Sequence, residues 1–264
     1  MINPYKTVID FEEAIADYCG SKYAVAVESC SAAIFLSLMY MKELHGEIGT
    51  VVIPKRTYPS VPCSIIHAGG KVKFTDDEWV SIYNLAPYNI WDCALKFHRG
   101  MYAKGSIQCL SFHVKKLIPV GRGGAILTDD QEAYEWFKRA RFDGRGPVPL
   151  QEDNITMLGW NCYMQPSDAA RGLQLLQALG DRELPDLKVE DQKYSDLSIQ
   201  PAYQKYITTE QQVKVQDKFV YRGKEWTVFS VNYIDRTADL ATTGEKSMTL
   251  GFDDEVLAKY QIKL

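Results

Sequence analysis

The sequence lacks the patterns of several protein classes. Its six cysteines are scattered without a C-x-x-C pair, and most lie inside apolar segments, so neither a metal site nor a disulfide framework is expected. Basic residues are not in excess: 30 Lys and Arg are outnumbered by 34 Asp and Glu, which leaves a formal net charge of −4. Without a positive field to attract a phosphate backbone, the chain is not expected to bind nucleic acid.

Long apolar runs are also missing. No uninterrupted apolar stretch approaches the ~20 residues that a helix needs to span a bilayer, and residues 1–6 do not resemble a signal peptide. We therefore expect no membrane association and a cytoplasmic location. With 264 residues, of which 46% are hydrophobic and 24% charged, the chain is long enough to bury a catalytic site.

Segments of strand length and helix length alternate along the first two-thirds of the chain. Strands are predicted at 23–27, 50–53, 71–74, 107–112 and just after Gly124, and helices at 11–19, 31–44, 59–68, 130–141 and 166–179. This alternation predicts an α/β fold with a mainly parallel sheet and helices on both faces. In such sheets, ligands bind beyond the carboxyl ends of the strands.

The last third of the chain has a different pattern. Residues from 181 to about 200 are polar and lose their periodicity, and apolar residues then alternate with a period of two from 213 onward. We predict a large domain over residues 1–182, a linker over 183–206 and a small β-rich module over 207–264. The sequence does not indicate what the module does.

A lysine stands between a predicted buried strand and a glycine turn. The stretch SFHVKKLIPVGRGGAILT occupies residues 111–128, and Lys116 would lie at the end of the strand predicted at 107–112. Burial lowers the pKa of a lysine, and a neutral amine attacks a carbonyl to form a Schiff base. Considered alone, a lysine in this position is more often a solvated surface group. That interpretation suits Lys115 better than Lys116.

Two further polar positions follow predicted strands. The segment ESCSAA at 28–33 joins a strand to a helix, and the free N–H groups of such a turn suit an anion such as phosphate. Asp92 follows a short apolar strand that ends at 90–91. Local helix capping is the alternative interpretation for Asp92 and for Ser31. In an open α/β sheet, Asp92, Lys116 and the Ser31 turn would meet at one edge.

Several segments between about residues 8 and 182 carry motifs whose order and spacing are more specific than any one of them. They read FEE followed by AVAVESCSAAI, IPKRTY, IWDCA, the lysine stretch at 111–128, RFDG and GWNCYM. Together they resemble the DegT/DnrJ/StrS-type nucleotide-sugar aminotransferases. The resemblance implies dependence on pyridoxal phosphate and the large domain of the aspartate aminotransferase fold, a three-layer α/β/α structure.

The resemblance also implies roles for three residues beside the ring of this cofactor. Lys116 matches the lysine that binds pyridoxal phosphate as a Schiff base and moves a proton between the substrate carbon and the cofactor. Asp92 matches the carboxylate that keeps the pyridine nitrogen protonated, so that the ring withdraws electrons. Tyr58 would stack on the ring, although an ordinary half-buried tyrosine is the alternative interpretation.

Other residues match positions that hold the phosphate of the cofactor. Ser31, the N–H of Ala32 and Ser111 would bind it within one subunit. Asn161 matches an asparagine that reaches the phosphate in the site of a neighbouring subunit, which implies a homodimer. The implied reaction transfers an amino group, from glutamate, to a nucleotide-linked keto sugar.

The chain also departs from the family pattern, mainly near the substrate. Leu95 stands where the family has a Gln or His that contacts the ring oxygen, Arg122 replaces an acidic residue of the glycine turn, and Tyr163 replaces an arginine. Cys30 and Ser31 replace a Gly/Ala-Thr pair, and the family's long C-terminal small domain is not recognisable. A non-catalytic relative that serves as a binding or assembly scaffold is therefore the alternative hypothesis.

Overall fold

Residues 5–208, which the computed structural model describes together with the backbone of four strands farther on, form helices and strands that alternate as far as residue 75. The helices are α1 (Lys6–Cys19), α2 (Cys30–His45), α3 (Ser60–His67), α4 (Gln131–Ala140), α5 (Pro166–Leu179) and the short α6 (Val189–Gln192). The strands are β1 (Tyr23–Val27), β2 (Thr50–Pro54), β3 (Lys71–Thr75), β4 (Tyr83–Asn84), β5 (Ile90–Asp92), β6 (Ile107–Ser111) and β7 (Gly124–Thr128). Among the described ranges, no helix is long and apolar enough to cross a membrane.

Five of these strands form one sheet in the order β1-β7-β6-β5-β4. β5 and β6 pair in parallel, whereas β7 is antiparallel to both of its neighbours and β4 is antiparallel to β5. β2 and β3 form a separate parallel pair, and the Val52 N–H of β2 donates to the Ala86 oxygen just after β4 at 2.8 Å. The five-stranded sheet is therefore mixed, where the sequence predicted a mainly parallel one.

The mixed pairing follows from the connection between β6 and β7. A parallel return to the sheet is usually made through a crossover helix. Residues 112–123 contain turns and an isolated bridge instead, so the chain reverses and β7 enters between β1 and β6 in the opposite direction. The same reversal places Lys116 at the edge where β5 and β6 end.

Alternate residues of β1 point to opposite faces of the sheet, and both faces are covered. Val25 and Val27 belong to a buried cluster with residues of α2, α3 and α4. Ala24 and Ala26 belong to a second cluster, which contains residues of α1 and α5. A strand covered on both faces is apolar throughout, as β1 is. The α/β class and the helices on both faces agree with the sequence prediction.

Residues 183–208, which include the predicted linker, belong to the first of the two compact units of the chain. These units are Met1–Thr208 and Thr209–Leu264. Leu197 and Tyr203 are buried, and the Leu197 N–H donates to the Lys55 oxygen at 2.9 Å. Polar residues dominate the segment, so its few buried side chains form no period that sequence reasoning can detect.

The second unit contains a four-stranded antiparallel sheet in the order β11-β10-β9-β8. Its strands are β8 (Lys218–Tyr221), β9 (Lys224–Asn232), β10 (Thr237–Ala241) and β11 (Met248–Gly251). Each strand pairs with the next along the chain, and the register shifts between Asp239 and Leu240. The division of the chain into a large domain, a linker and a module stays a prediction, as does the role of the last part.

A buried ion cluster ties α1 and β1 to the end of α4. Glu12 of α1 accepts hydrogen bonds from the Ala26 N–H and from the Lys138 amine, both at 2.8 Å. It also pairs with the Arg141 guanidinium, which donates to the Ala26 oxygen as well. Glu12 and Arg141 are both buried, so each charge depends on the other for its stabilisation.

We expect Glu12→Gln to lower the free energy of unfolding by about 3 kcal/mol, because it leaves the Arg141 charge buried without a counter-charge. Urea unfolding followed by circular dichroism measures this change. Glu13→Gln is the matched control, since Glu13 is the exposed neighbour on the same helix, and it should change stability by less than about 0.5 kcal/mol. Equal effects of the two substitutions would contradict the stabilising role of the cluster.

Candidate active site

A buried carboxylate marks the carboxyl end of β5. Asp92 is the last residue of this strand and is 5% exposed. One of its oxygens accepts a hydrogen bond from the Tyr83 hydroxyl at 2.9 Å, and the other accepts from the Ala94 N–H at 2.9 Å. The Tyr83 hydroxyl also lies 2.5 Å from the buried Thr57 hydroxyl. These bonds fix the carboxylate in one position within an apolar surrounding.

The charge of Asp92 is set by opposing effects. Burial raises the pKa of this carboxyl above its ordinary value, while the Ala94 N–H, the Tyr83 hydroxyl and the Lys116 charge act to lower it. Two donated hydrogen bonds and a nearby cation all favour the ionised form. The carboxylate is thus stabilised by groups of the same site.

Lys116 lies in the loop between β6 and β7 and differs from the adjacent Lys115 in how far its side chain is buried. Its N–H donates to the His113 oxygen at 2.8 Å, and its side chain is half-buried, whereas Lys115 is exposed. Burial lowers the pKa of the Lys116 amine, and the negative charge of Asp92 opposes that shift. The amine and the Asp92 carboxylate therefore lie within electrostatic reach of each other.

The N-terminus of α2 adjoins the end of β6. Ser111 pairs with Gly124 in the ladder between β6 and β7. A Cβ atom on Gly124 would lie 2.5 Å from the backbone nitrogen of Cys30, so only glycine lets β7 approach the start of α2 this closely. This contact brings Ser111 next to the helix N-terminus, where backbone N–H groups favour an anion.

Hydroxyl groups surround that helix end. Ser29 caps α2 by accepting a hydrogen bond from the Ala32 N–H at 3.1 Å, so this N–H, which was predicted to hold phosphate, has a partner within the chain. The Ser31 hydroxyl donates to the Ser60 hydroxyl at 2.6 Å. Ser31, Ser60 and Ser111 together offer hydroxyl groups that suit a phosphate group.

Cys30 connects the helix end to the carboxylate. Its thiol donates to the Cys109 oxygen at 3.6 Å and lies 4.0 Å from one oxygen of Asp92. The anion-favouring end of α2, a buried carboxylate and a half-buried amine are therefore parts of one site. This donor set fits pyridoxal phosphate, which carries a phosphate, a basic ring nitrogen and an aldehyde.

Two predicted residues are at the periphery of this arrangement. Tyr58 precedes α3 and is 58% exposed, directly after the buried Thr57. Asn161 is exposed and donates a hydrogen bond to Asp143 at 3.2 Å. Its predicted contact is with the site of a neighbouring subunit, and that role stays a prediction.

Other residues of the site were not singled out by sequence reasoning. Thr57 lies inside the matched IPKRTY motif, next to the tyrosine that was chosen, so the motif itself could have indicated it. Tyr83 and Trp79, whose rings meet edge to face at 4.7 Å, belong to no motif. They are found only because the chain returns through β4 to the side of Asp92.

Comparison with known proteins identifies a family. The sequence model of the DegT/DnrJ/EryC1/StrS aminotransferase family matches residues 1–91 and 98–222. GDP-perosamine synthase of Caulobacter vibrioides is 25% identical in a match that covers 66% of this chain and 57% of that protein. GDP-perosamine synthase of Escherichia coli O157:H7 is 25% identical in a match that covers 87% of this chain and 70% of that protein.

Solved structures show a similar fold. An aminotransferase of this family from Brucella abortus matches with a TM-score of 0.60 at 18% identity, covering 80% of this chain and 81% of that one. The Helicobacter pylori aminotransferase involved in the biosynthesis of pseudoaminic acid matches with a TM-score of 0.59 at 14% identity, covering 78% and 82%. Since the family model also matches most of its length, the chain belongs to the DegT/DnrJ/EryC1/StrS aminotransferase family.

Proposed function

We propose that this protein is a pyridoxal-phosphate-dependent aminotransferase that transfers an amino group, from glutamate, to a nucleotide-linked keto sugar. The observation that carries the proposal is the joint placement of Asp92, Lys116 and the N-terminus of α2 at the carboxyl edge of the sheet. The names of the relatives support the substrate class, because they include GDP-perosamine synthases and a UDP-linked amino-sugar transaminase of Campylobacter jejuni. The chain spans 57% of the first of these relatives.

Each part of the cofactor has candidate partners in the site. Ser31, Ser60 and Ser111 would hold the phosphate beside the α2 N-terminus, where the helix dipole favours negative charge. Asp92 would accept a hydrogen bond from the protonated pyridine nitrogen. The amine of Lys116 would bond covalently to the aldehyde carbon. Tyr58 would cover the ring from the exposed side.

The protein supplies positioning and proton transfer. Pyridoxal phosphate, when bound, provides an aldehyde that combines with amines and a ring that withdraws electrons from the substrate carbon. The Asp92 carboxyl group is held at a fixed point, because Tyr83 and Ala94 donate hydrogen bonds to its two oxygens. The Lys116 amine accepts a proton more readily than water does, and burial increases its neutral fraction, so it can take up and return a proton next to the reacting carbon.

The homodimer and the cytoplasmic location expected from the sequence belong to the same proposal. A homodimer would let Asn161 reach the phosphate in the neighbouring site, and a cytoplasmic location would match the biosynthesis of a nucleotide sugar. If the protein failed to bind the cofactor through Lys116, the non-catalytic scaffold would become the better hypothesis.

We expect purified protein to bind pyridoxal phosphate covalently at Lys116, because this amine is half-buried beside a carboxylate. Borohydride reduction followed by peptide mass spectrometry measures the attachment. Lys116→Ala should abolish the visible absorption band of the bound cofactor and the labelled peptide. Lys115→Ala is the matched control, since Lys115 is the exposed neighbour. This variant should be labelled to the same extent as the protein without substitutions. Equal labelling of the two variants would overturn the assignment of Lys116.

The pH dependence of this attachment should report the charge of Asp92. The neutral amine is the reacting form, and burial lowers the pKa of Lys116, so attachment should persist to lower pH than at an exposed lysine. The Asp92 carboxylate raises the same pKa, so Asp92→Asn should move the attachment midpoint to still lower pH. Brief exposure to the cofactor across a pH series, with borohydride trapping, measures the midpoint.

The control for this experiment is Asp17→Asn, which removes an exposed carboxylate on α1. It should leave the midpoint unchanged. A midpoint that is unchanged or moves upward in Asp92→Asn would show that the carboxylate does not act on the Lys116 amine.

A further inference from the structure

The segment Asp186–Tyr203, here called the strap, is anchored close to the end of β5. Asp186 pairs with the His98 ring. The Leu187 N–H donates to the Leu95 oxygen at 2.9 Å. Leu95 and His98 lie three and six residues after Asp92, so the first anchor of the strap is on the chain that leaves the candidate site.

The second anchor of the strap is close to the end of β2. The Leu197 N–H donates to the Lys55 oxygen at 2.9 Å, and the Lys55 amine pairs with Asp196 at 3.1 Å. The Tyr203 hydroxyl donates to the Pro59 oxygen at 3.1 Å. Lys55 and Pro59 stand on either side of Tyr58. The strap therefore runs along the carboxyl edge of the strands, from the Asp92 side of the site to the Tyr58 side.

Tyr194 lies between the two anchors and is half-buried. Lys193, with a left-handed φ of 51°, turns the chain directly before it. The Tyr194 ring stacks on Trp79, with centroids 6.1 Å apart and an interplanar angle of 17°. Trp79 in turn meets the ring of Tyr83 at 4.7 Å, and Tyr83 donates to Asp92. A continuous row of aromatic side chains thus leads from the buried carboxylate to the strap.

The electrostatic environment of Tyr194 agrees with this placement. Burial raises the pKa of its phenol, and the negative charge of Asp92 raises it further. The phenol stays protonated at neutral pH, so the side chain adds no negative charge beside Asp92. What it offers to the site is an aromatic face and a hydroxyl group.

We propose that Tyr194 is a binding residue of the pyridoxal phosphate site and that the strap holds it there as part of the wall. The inference rests on the proposed function, because it assumes that this site takes the cofactor. A flat ring bound beside Asp92 would gain apolar contact from a second aromatic side chain that is already packed against Trp79. The strap thereby supplies a side of the pocket that the five-stranded sheet and its helices do not.

The test is equilibrium dialysis of pyridoxal phosphate against the protein of residues 1–264 and three variants, each checked for folding by circular dichroism. Tyr194→Ala should bind the cofactor about fivefold more weakly, because it removes the aromatic face. Tyr194→Phe keeps the ring and should bind within about twofold of the unchanged protein. Tyr206→Ala removes a tyrosine beyond the second anchor and should bind as the unchanged protein does.

Hydrogen exchange gives a second measurement that needs no substitution. Adding pyridoxal phosphate should slow exchange at the Leu187 and Leu197 amides, which form the two anchors. Equal or tighter cofactor binding by Tyr194→Ala would overturn the inference. If that variant does not fold, unchanged exchange at both anchors would overturn it instead. If the protein without substitutions binds no cofactor at all, the proposed function itself is refuted. This outcome is distinct from those that test Tyr194.

Discussion

A carboxylate buried at the end of a core strand is the constraint around which this site is built. A buried charge is costly unless donors and an opposite charge stabilise it. Asp92 receives one hydrogen bond from Tyr83 and one from the backbone after β5, and Lys116 supplies the cation. Removing any of these groups would leave a buried charge with less compensation, so the positions of Tyr83 and Lys116 follow from that of Asp92.

The reversal of β7 brings the remaining parts of the site to the same edge. Because β7 returns directly from β6, the loop that carries Lys116 begins where β6 ends, beside Asp92. Gly124, the first residue of β7, packs on the backbone at the start of α2. One antiparallel strand therefore places both the amine and the anion-favouring helix end next to the carboxylate.

Local patterns predicted the elements, but contacts between distant segments decided the rest. The alternation of strands and helices indicated the α/β class, and the IWDCA and lysine motifs indicated Asp92 and Lys116. The direction of β7 depends on how the chain closes the sheet, and no local periodicity of the sequence indicates this direction. Tyr83 and Tyr194 were missed for a similar reason, since each reaches the site through a segment whose sequence is polar or irregular. Only the packing of β4 and of the strap reveals them.

The departures from the family pattern have structural partners in this chain. Leu95 is buried, and its backbone oxygen anchors the strap. Arg122 pairs with Glu28 at 2.8 Å, and Tyr163 packs edge to face against Tyr5 and Phe142. None of these contacts uses the side chain of Asp92 or Lys116. The groups that would hold the cofactor are therefore present in the chain, and the altered positions are occupied by residues with contacts of their own.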